Sequence, residues 1–227
     1  MPTRHPAIDL AQDGFTIMPS VLSETECHGL DDVLELAPLR HAGSRNLLDN
    51  QWCADLSVRV RNSPALKQLL SSLVAVQCTY FDKNPEVNWL VSVHQDLSIP
   101  VKARIDGCGL TGWNVKEGHT FVQAPVGLLE SLIAVRLHLN DSGPDNGPLR
   151  VVPRSHLLGR LSSDVQAARR LEFGEVECHV PRGGALLMKP LLLHASSKTT
   201  GPRPRRVLHF LFGPKELPFG LEWALTV

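Results

Sequence analysis

Residues 175–212 read EVECHVPRGGALLMKPLLLHASSKTTGPRPRRVLHFLF. Four short apolar or alternating runs stand out: EVECHV, GALLMK, LLLHAS and RVLHFLF. Turn-forming PRGG and KTTGPRP interrupt them, and runs of this length with such boundaries are strands. The same texture extends upstream to residue 76, through VQCTYF, NWLVSV, SLIAVRLHL and PLRVVP, with DKNPE and NDSGPDNG between them. The amino-terminal third reads as mostly helical. Ser23 with Glu26 has capping-box form, and Leu30, Val33, Leu34 and Leu36 follow as an apolar stripe. Ser63-Pro64 marks a second helix start ahead of ALKQLLSSLV. About eight strands after helices predict a mainly β fold with flanking α-helices, a double-stranded β-helix of the jelly-roll or cupin-like kind. One domain over 1–227 is expected, with a helical flank over 1–75 and the barrel over 76–213. Residues 97–129 break the strand rhythm, and a segment of that length inside a barrel suggests a lid-like insertion.

Composition narrows the function. The chain has 227 residues, 43% hydrophobic and 20% charged, which are ordinary globular proportions and exclude a disordered or fibrous chain. Lys plus Arg and Asp plus Glu are both 23, so nothing favours a nucleic acid partner. The five cysteines form no CxxC pair and read as reduced thiols, the pattern of a cytoplasmic protein. The start, MPTRHPAIDLAQDG, lacks an apolar leader core, and no apolar run is long enough to span a membrane. A small-molecule substrate is the partner expected.

Three elements carry chemistry. His94-Gln95-Asp96 follows the strand-like NWLVSV, and residues two apart on a strand project to one side, so an imidazole and a carboxylate can meet one ion. Alone, the pair also reads as a surface histidine and an exposed aspartate at a strand end. His194 ends an apolar run, where an isolated histidine can equally be a core residue bonded to a backbone carbonyl. A jelly roll would bring it back beside His94, and two histidines with one carboxylate form the facial triad of non-heme Fe(II) oxygenases. Arg205 lies eleven residues beyond His194, at the start of the next strand. A keto-acid chelating iron through one end leaves its far carboxylate buried, and a guanidinium matches that charge bidentately. Ser196 could share the contact. Arg206 is the rival, since strand parity sends the two side chains to opposite faces, and PRPRR can also be a solvated basic turn.

HQD after a strand, NDSGPDNGPLRVVPRSH over 140–156, and a lone histidine with arginine eleven residues on together resemble the phytanoyl-CoA dioxygenase family over about residues 75–213. The resemblance implies Fe(II) with 2-oxoglutarate as cosubstrate and O2 as oxidant. It implies His94, Asp96 and His194 as iron ligands and catalytic centre, with Arg205 and Ser196 on the C5 carboxylate of 2-oxoglutarate. Gln77 sits where ectoine-hydroxylase-like members place a glutamine near the cosubstrate. Arg136 falls near the position where the phytanoyl-CoA enzyme has a tryptophan. Two departures are visible: KTT stands where an Asn-containing turn is common, and the 97–129 insertion has no counterpart in the phytanoyl-CoA enzyme.

The expected reaction is hydroxylation of an unactivated C–H bond of a small organic molecule, with release of succinate and CO2. Related halogenases carry a small residue where Asp96 stands, so the carboxylate argues for hydroxylation. Trp113, His119, Gln123 and Arg136 are the substrate-facing expectations. His138 alternates with Arg136 along SLIAVRLHL. His209 reads as structural, Cys178-His179 as packing and Gly183-Gly184 as a turn, and Ser155-His156 lacks a nucleophile-elbow context. Two other classes fit the same barrel: a cupin-type enzyme using another divalent metal without a keto-acid, in which Arg205 would be dispensable, and a non-catalytic binding module.

Overall fold

The computed structural model describes residues 5–37 and 43–227. Residues 1–4, part of the start read above for a leader core, lie outside it, as do 38–42 within the expected helical flank. In chain order the elements begin with α1 (Pro6–Gln12), β1 (Phe15–Met18), α2 (Glu24–Leu36) and β2 (Gly43–Ser44). α3 (Gln51–Asn62), α4 (Lys67–Leu70), β3 (Val74–Lys83) and β4 (Val91–His94) follow. Next come β5 (Ser98–Val101), β6 (Asn114–Lys116), β7 (His119–Gln123), α5 (Val126–Ser131), β8 (Ile133–His138) and β9 (Leu149–Val151). The chain closes with α6 (Ser163–Phe173), β10 (Val176–Cys178), β11 (Ala185–Met188), β12 (His194–Ser196) and β13 (Arg205–Gly213).

A six-stranded sheet runs β1-β11-β8-β13-β3-β2, a four-stranded sheet β10-β9-β12-β4, and a small sheet β5-β7-β6. Strand parity divides the larger sheet between two cores. Leu137, Leu187, Leu208 and Phe210 point outward and pack on Cys27, Leu30, Leu34, Leu56 and Val60 of the helices. Ala134, Leu186 and Met188 point inward and join Leu149, Val151 and Cys178 of the smaller sheet. This is the mainly β jelly roll with helical flank that the sequence predicts, and every run read as a strand contains one.

Two irregularities steer side chains. Where β13 pairs with β3, Leu211 faces Gln77 but Phe212 faces Ala75, so Val76 is an extra residue in β3. That bulge resets parity: Val76 packs in the inner core, and Gln77, Thr79 and Phe81 also face inward, lining a cavity. A second register shift lies where β12 meets β4, with His194 opposite His94 but Ser196 opposite Val91. It lets Val91 and His94, three apart, face the same interior.

The flank departs from the helical expectation in three places, one of them the short strand β2, which pairs with β3. β1 docks on β11 with Phe15 opposite Met188, because Gly14 at φ +84° lets the chain turn directly from α1 into a strand. Ser63 closes α3 instead of capping a new helix: its hydroxyl donates to Val60 O at 2.9 Å, and the helix beyond is the single turn α4. The Ser23–Glu26 capping box is present as read.

Candidate active site

The geometry of the candidate metal site begins with four consecutive carbonyls. Just before β12, Pro190 O accepts Asp96 N–H at 2.9 Å, and Leu191 O accepts the Gln95 amide at 2.7 Å. Leu192 O faces His194 Nδ1 at 2.9 Å, and Leu193 O accepts Val152 N–H at 2.9 Å. Ser155 adds to this, its hydroxyl accepting Leu193 N–H at 2.9 Å. Gln95, between the two candidate ligands, is buried and also accepts Leu161 N–H at 2.9 Å. The two halves of the site, 98 residues apart in sequence, are thus cross-linked through backbone.

His94 Nδ1 lies 2.8 Å from Ser92 O. A carbonyl can only accept, so both histidines carry the proton on Nδ1 and leave the Nε2 lone pair free, the arrangement that metal-ligating histidines adopt. His94 Nε2 is 3.7 Å from one Asp96 oxygen and His194 Nε2 is 3.6 Å from the other. Those separations are too long for hydrogen bonds. The three ligand atoms lie within 4.8 Å of one another and form the one such cluster among the described residues. Burial pushes the His194 imidazole down to about 4 against the pull of Asp96, so it is neutral and a competent ligand at neutral pH. Burial opposes ionisation of Asp96, yet positive electrostatic surroundings that include Arg136 hold its carboxyl below the ordinary range. Two imidazole nitrogens and a carboxylate, with no protein acceptor on either Nε2, fit a divalent iron with open positions.

The triad lines a cavity of about 470 Å³ between the sheets. Arg205 and Arg206 resolve by parity. Arg205 is buried and lines the cavity. Arg206 turns out to Asn140, at 3.1 Å, and to Asp31, at 3.0 Å. Arg205 Nε donates to Asn146 O and one terminal nitrogen to Ser196 Oγ, both at 3.3 Å, while Nη1 is buried with no acceptor. Ser196 Oγ donates to Gly147 O at 3.1 Å and accepts Lys83 Nζ at 2.7 Å. Lys83 is fully buried, its ammonium otherwise donating to Ser197 O at 2.6 Å. Burial, then the charges of Arg205, Arg136 and Arg150, push its amine down to about 7.

NDSGPDNG and KTT close behind this cluster. Gly147 sits at φ +66°, and a Cβ there would lie 2.4 Å from Ser197 O. Thr199 of KTT donates its hydroxyl to Asp145 O at 2.9 Å and pairs its backbone with Asn88, so the divergent turn is held by the residues it has.

Gln77 lines the cavity and donates to Thr79 Oγ1 at 3.1 Å. Arg136 also lines it, buried, with one terminal nitrogen 2.7 Å from His209 Nδ1 and Nε without an acceptor. His209 therefore belongs to the cavity wall and not only to the core. Burial, then Arg136, push it down to about 3, leaving a neutral ring that accepts from the guanidinium. His138 shares the inward face but is buried behind the cavity lining, with neither ring nitrogen bonded.

The 97–129 segment forms the small sheet β5-β7-β6 and the start of α5, and it contributes Leu97, Ser98, Lys116, Phe121, Gln123 and Leu129 to the cavity lining. Trp113 and His119, expected to face substrate, are not among the lining residues. Trp113 donates its indole N–H to Leu110 O at 3.0 Å and stacks beneath Arg104. His119 pairs with Asp49 at 3.3 Å, tying the sheet to the flank. Sequence reasoning missed Gln95, Lys83 and Lys116. The middle position of HQD was a usable signal for Gln95; nothing in the spacing of the two lysines marked them.

A mainly β barrel with a His-Asp-His triad and an inward arginine defines the class of non-heme iron, 2-oxoglutarate-dependent oxygenases. The family model for phytanoyl-CoA dioxygenase (PhyH) matches residues 10–207, and the chain belongs to that family, whose cofactors are Fe(II), 2-oxoglutarate and O2. A search of curated protein sequences gave no significant match. Among solved structures, HygX from Streptomyces hygroscopicus, crystallised with nickel and 2-oxoglutarate, is 18% identical with a TM-score of 0.64, covering 94% of this chain and 88% of its own. EctD from S. alaskensis is 18% identical with a TM-score of 0.67, covering 97% and 82%. The non-heme alpha-ketoglutarate-dependent carbocyclase SnoK from nogalamycin biosynthesis is 16% identical with a TM-score of 0.65, covering 94% and 85%. At these identities the likeness is one of fold. No helix among the described residues is long and apolar enough to cross a membrane.

Proposed function

We propose that the chain is an Fe(II)- and 2-oxoglutarate-dependent dioxygenase that hydroxylates an unactivated C–H bond of a small organic molecule, releasing succinate and CO2. The observation that carries this is one cavity holding both halves of the machinery. The His94, Asp96 and His194 donor atoms converge within 4.8 Å, and Arg205 lines the same cavity with an unsatisfied buried Nη1. When bound, the metal and cosubstrate supply oxidative decarboxylation coupled to C–H hydroxylation. His94 and His194 turn Nε2 toward the ligand position, their rings oriented by Nδ1 contacts with the Ser92 and Leu192 carbonyls. Asp96 supplies the anionic ligand.

Arg205 offers its free Nη1 to the C5 carboxylate, and a buried guanidinium edge without an acceptor is costly unless a ligand completes it. Ser196 lines the cavity beside Arg205 and aims that fork. Its one proton goes to Gly147 O while Lys83 and Arg205 occupy its acceptor side. Gln77 lies on the same wall and is placed to meet the cosubstrate. The apolar lining around Phe121, Leu129 and Leu132 keeps water from the reacting C–H bond.

The test is oxygen-dependent conversion of 2-oxoglutarate to succinate by the Fe(II)-loaded protein. Turnover in wild type, absence in Asp96→Ala, and a requirement for about 10- to 100-fold more 2-oxoglutarate in Arg205→Ala are expected, the range of a lost charged hydrogen bond. Metal-dependent activity that ignores 2-oxoglutarate would favour an enzyme of another cofactor class on the same barrel.

A further inference from the structure

The cavity is unusually cationic for its size. Its lining contains Arg45, Lys116, Arg136 and Arg205, and Asp96 is the one acid among the described lining residues. Resting on the proposed function, the charges of the cofactors can be counted. Fe(II) carries two positive charges, 2-oxoglutarate two negative, Asp96 one negative and Arg205 one positive, which cancel. Arg45 is matched as well: Glu117 accepts its backbone N–H at 2.8 Å and its guanidinium at 2.9 Å. Arg136 and Lys116 remain. Arg136 has a terminal nitrogen on the neutral His209 ring, its guanidinium 5.3 Å from the Phe81 ring centroid, a bare Nε and, among the described residues, no carboxylate in hydrogen-bond contact. Lys116 has its ammonium 5.2 Å above the Phe121 ring and, among the described residues, no hydrogen-bond acceptor or carboxylate in contact.

Lys116 is held where it stands. It precedes a two-residue hairpin turn in which Glu117 has φ 50° and Gly118 φ 85°, the primed conformation that closes a tight hairpin. Lys116 pairs across that turn with His119. The turn is stapled to the flank by Glu117 to Arg45, by the Asn46 amide donating to Glu117 O at 2.7 Å, and by His119 to Asp49. A placed ammonium over an aromatic wall, with an unmatched guanidinium further in, is an anion-recognition arrangement.

We propose that the substrate is an organic acid with an apolar body, its anionic group, a carboxylate or a phosphate ester, held by Lys116, with Arg136 offsetting negative charge deeper in the cavity. The walls of Phe121, Leu129, Leu132 and Leu211 receive the apolar portion. Lys116 is thus a specificity residue, and the 97–129 sheet exists in part to carry it.

The test uses the full chain loaded anaerobically with Fe(II) and 2-oxoglutarate, and four matched probes: 4-phenylbutyrate, 3-phenylpropyl phosphate, 4-phenylbutanamide and 4-phenylbutylamine. Binding is read by calorimetry and by perturbation of the iron–cosubstrate charge-transfer band. One or both anions should bind at least about tenfold more tightly than the amide, the worth of one charged hydrogen bond, and the better anion identifies the group. Lys116→Met should erase that preference and Lys116→Glu should shift it to the amine, with the affinity for 2-oxoglutarate retained in both. Equal binding of amide and acid, an unchanged preference in Lys116→Met, or no anion binding to a protein that forms the band would overturn the proposal. Failure of the band itself in wild type would instead remove the cofactor assignment on which it rests.

Discussion

The floor and the roof of the cavity are built differently. The floor, from β3, β4, β8, β12 and β13, is backbone-locked: each carbonyl from Pro190 to Leu193 is used, and Gln95 bridges the two ligand strands. The roof, β5-β7-β6, meets the flank mainly through side chains near the surface, such as Glu117 with Arg45 and His119 with Asp49. Exposed pairs of that kind are worth less than about 1 kcal/mol each. The floor thus fixes the candidate ligands through backbone, while the roof's surface contacts with the flank can vary at small cost to stability; its inner residues Ile99, Val101 and Val122 belong to the inner core and cannot.

The contrast breaks most readily at Gly147, in the floor. An alanine there would put its Cβ 2.4 Å from Ser197 O at φ +66°. A loss of roughly 2 kcal/mol or more is expected from strain at such a site, read as a lower urea midpoint, together with weaker 2-oxoglutarate binding because Ser196 and Arg205 hang on the same turn. A neutral Gly147→Ala would show the floor to be softer than its contacts imply.

Lys83 offers a second, intermediate effect. Its amine is pushed down to about 7 by burial and then by Arg205 and its fellow cations. An anion bound at Arg205 offsets that repulsion and raises the Lys83 value, so the bound state holds more protons than the free state just above pH 7. The 2-oxoglutarate affinity should therefore fall as pH rises through that window, by at most tenfold per pH unit. Calorimetry in two buffers of different ionisation enthalpy should show proton uptake in wild type and much less in Lys83→Met. Equal uptake in both would place the titrating group elsewhere.

The smallest effect belongs to the roof. His119→Ala removes a partly exposed contact with Asp49 and should lower stability by less than about 1 kcal/mol. Because His119 is outside the cavity lining, 2-oxoglutarate binding should be unchanged. A loss of cosubstrate affinity would mean that the roof shapes the floor directly.

What could be read from sequence follows the same division. The strand runs were legible from their length and turn boundaries, and the candidate triad from the combination of HQD, the distal histidine and the arginine eleven residues on that resembles the family. The choice of Arg205 over Arg206 was not, since parity only says that the two diverge; the contacts of Asn140 and Asp31 with Arg206 decide it. The bulge at Val76 and the register shift near Ser92 are equally silent in sequence, yet they aim Gln77 and His94 inward. His209 looked structural because its value lies in a cross-strand bond to Arg136. The roof strands escaped notice because they are three to five residues long among glycines and prolines, and Trp113 and His119 drew attention by residue type alone.

The central claim is that one cavity binds iron through His94, Asp96 and His194 and holds 2-oxoglutarate through Arg205. An anaerobic optical titration of the metal-free protein with Fe(II) and then 2-oxoglutarate tests it most directly. The account predicts a visible metal-to-ligand charge-transfer band in wild type, absent in Asp96→Ala, needing far more 2-oxoglutarate in Arg205→Ala, and normal in Arg206→Ala. A folded, iron-loaded protein with no band, or one in which Arg206→Ala and not Arg205→Ala weakens it, would contradict the account.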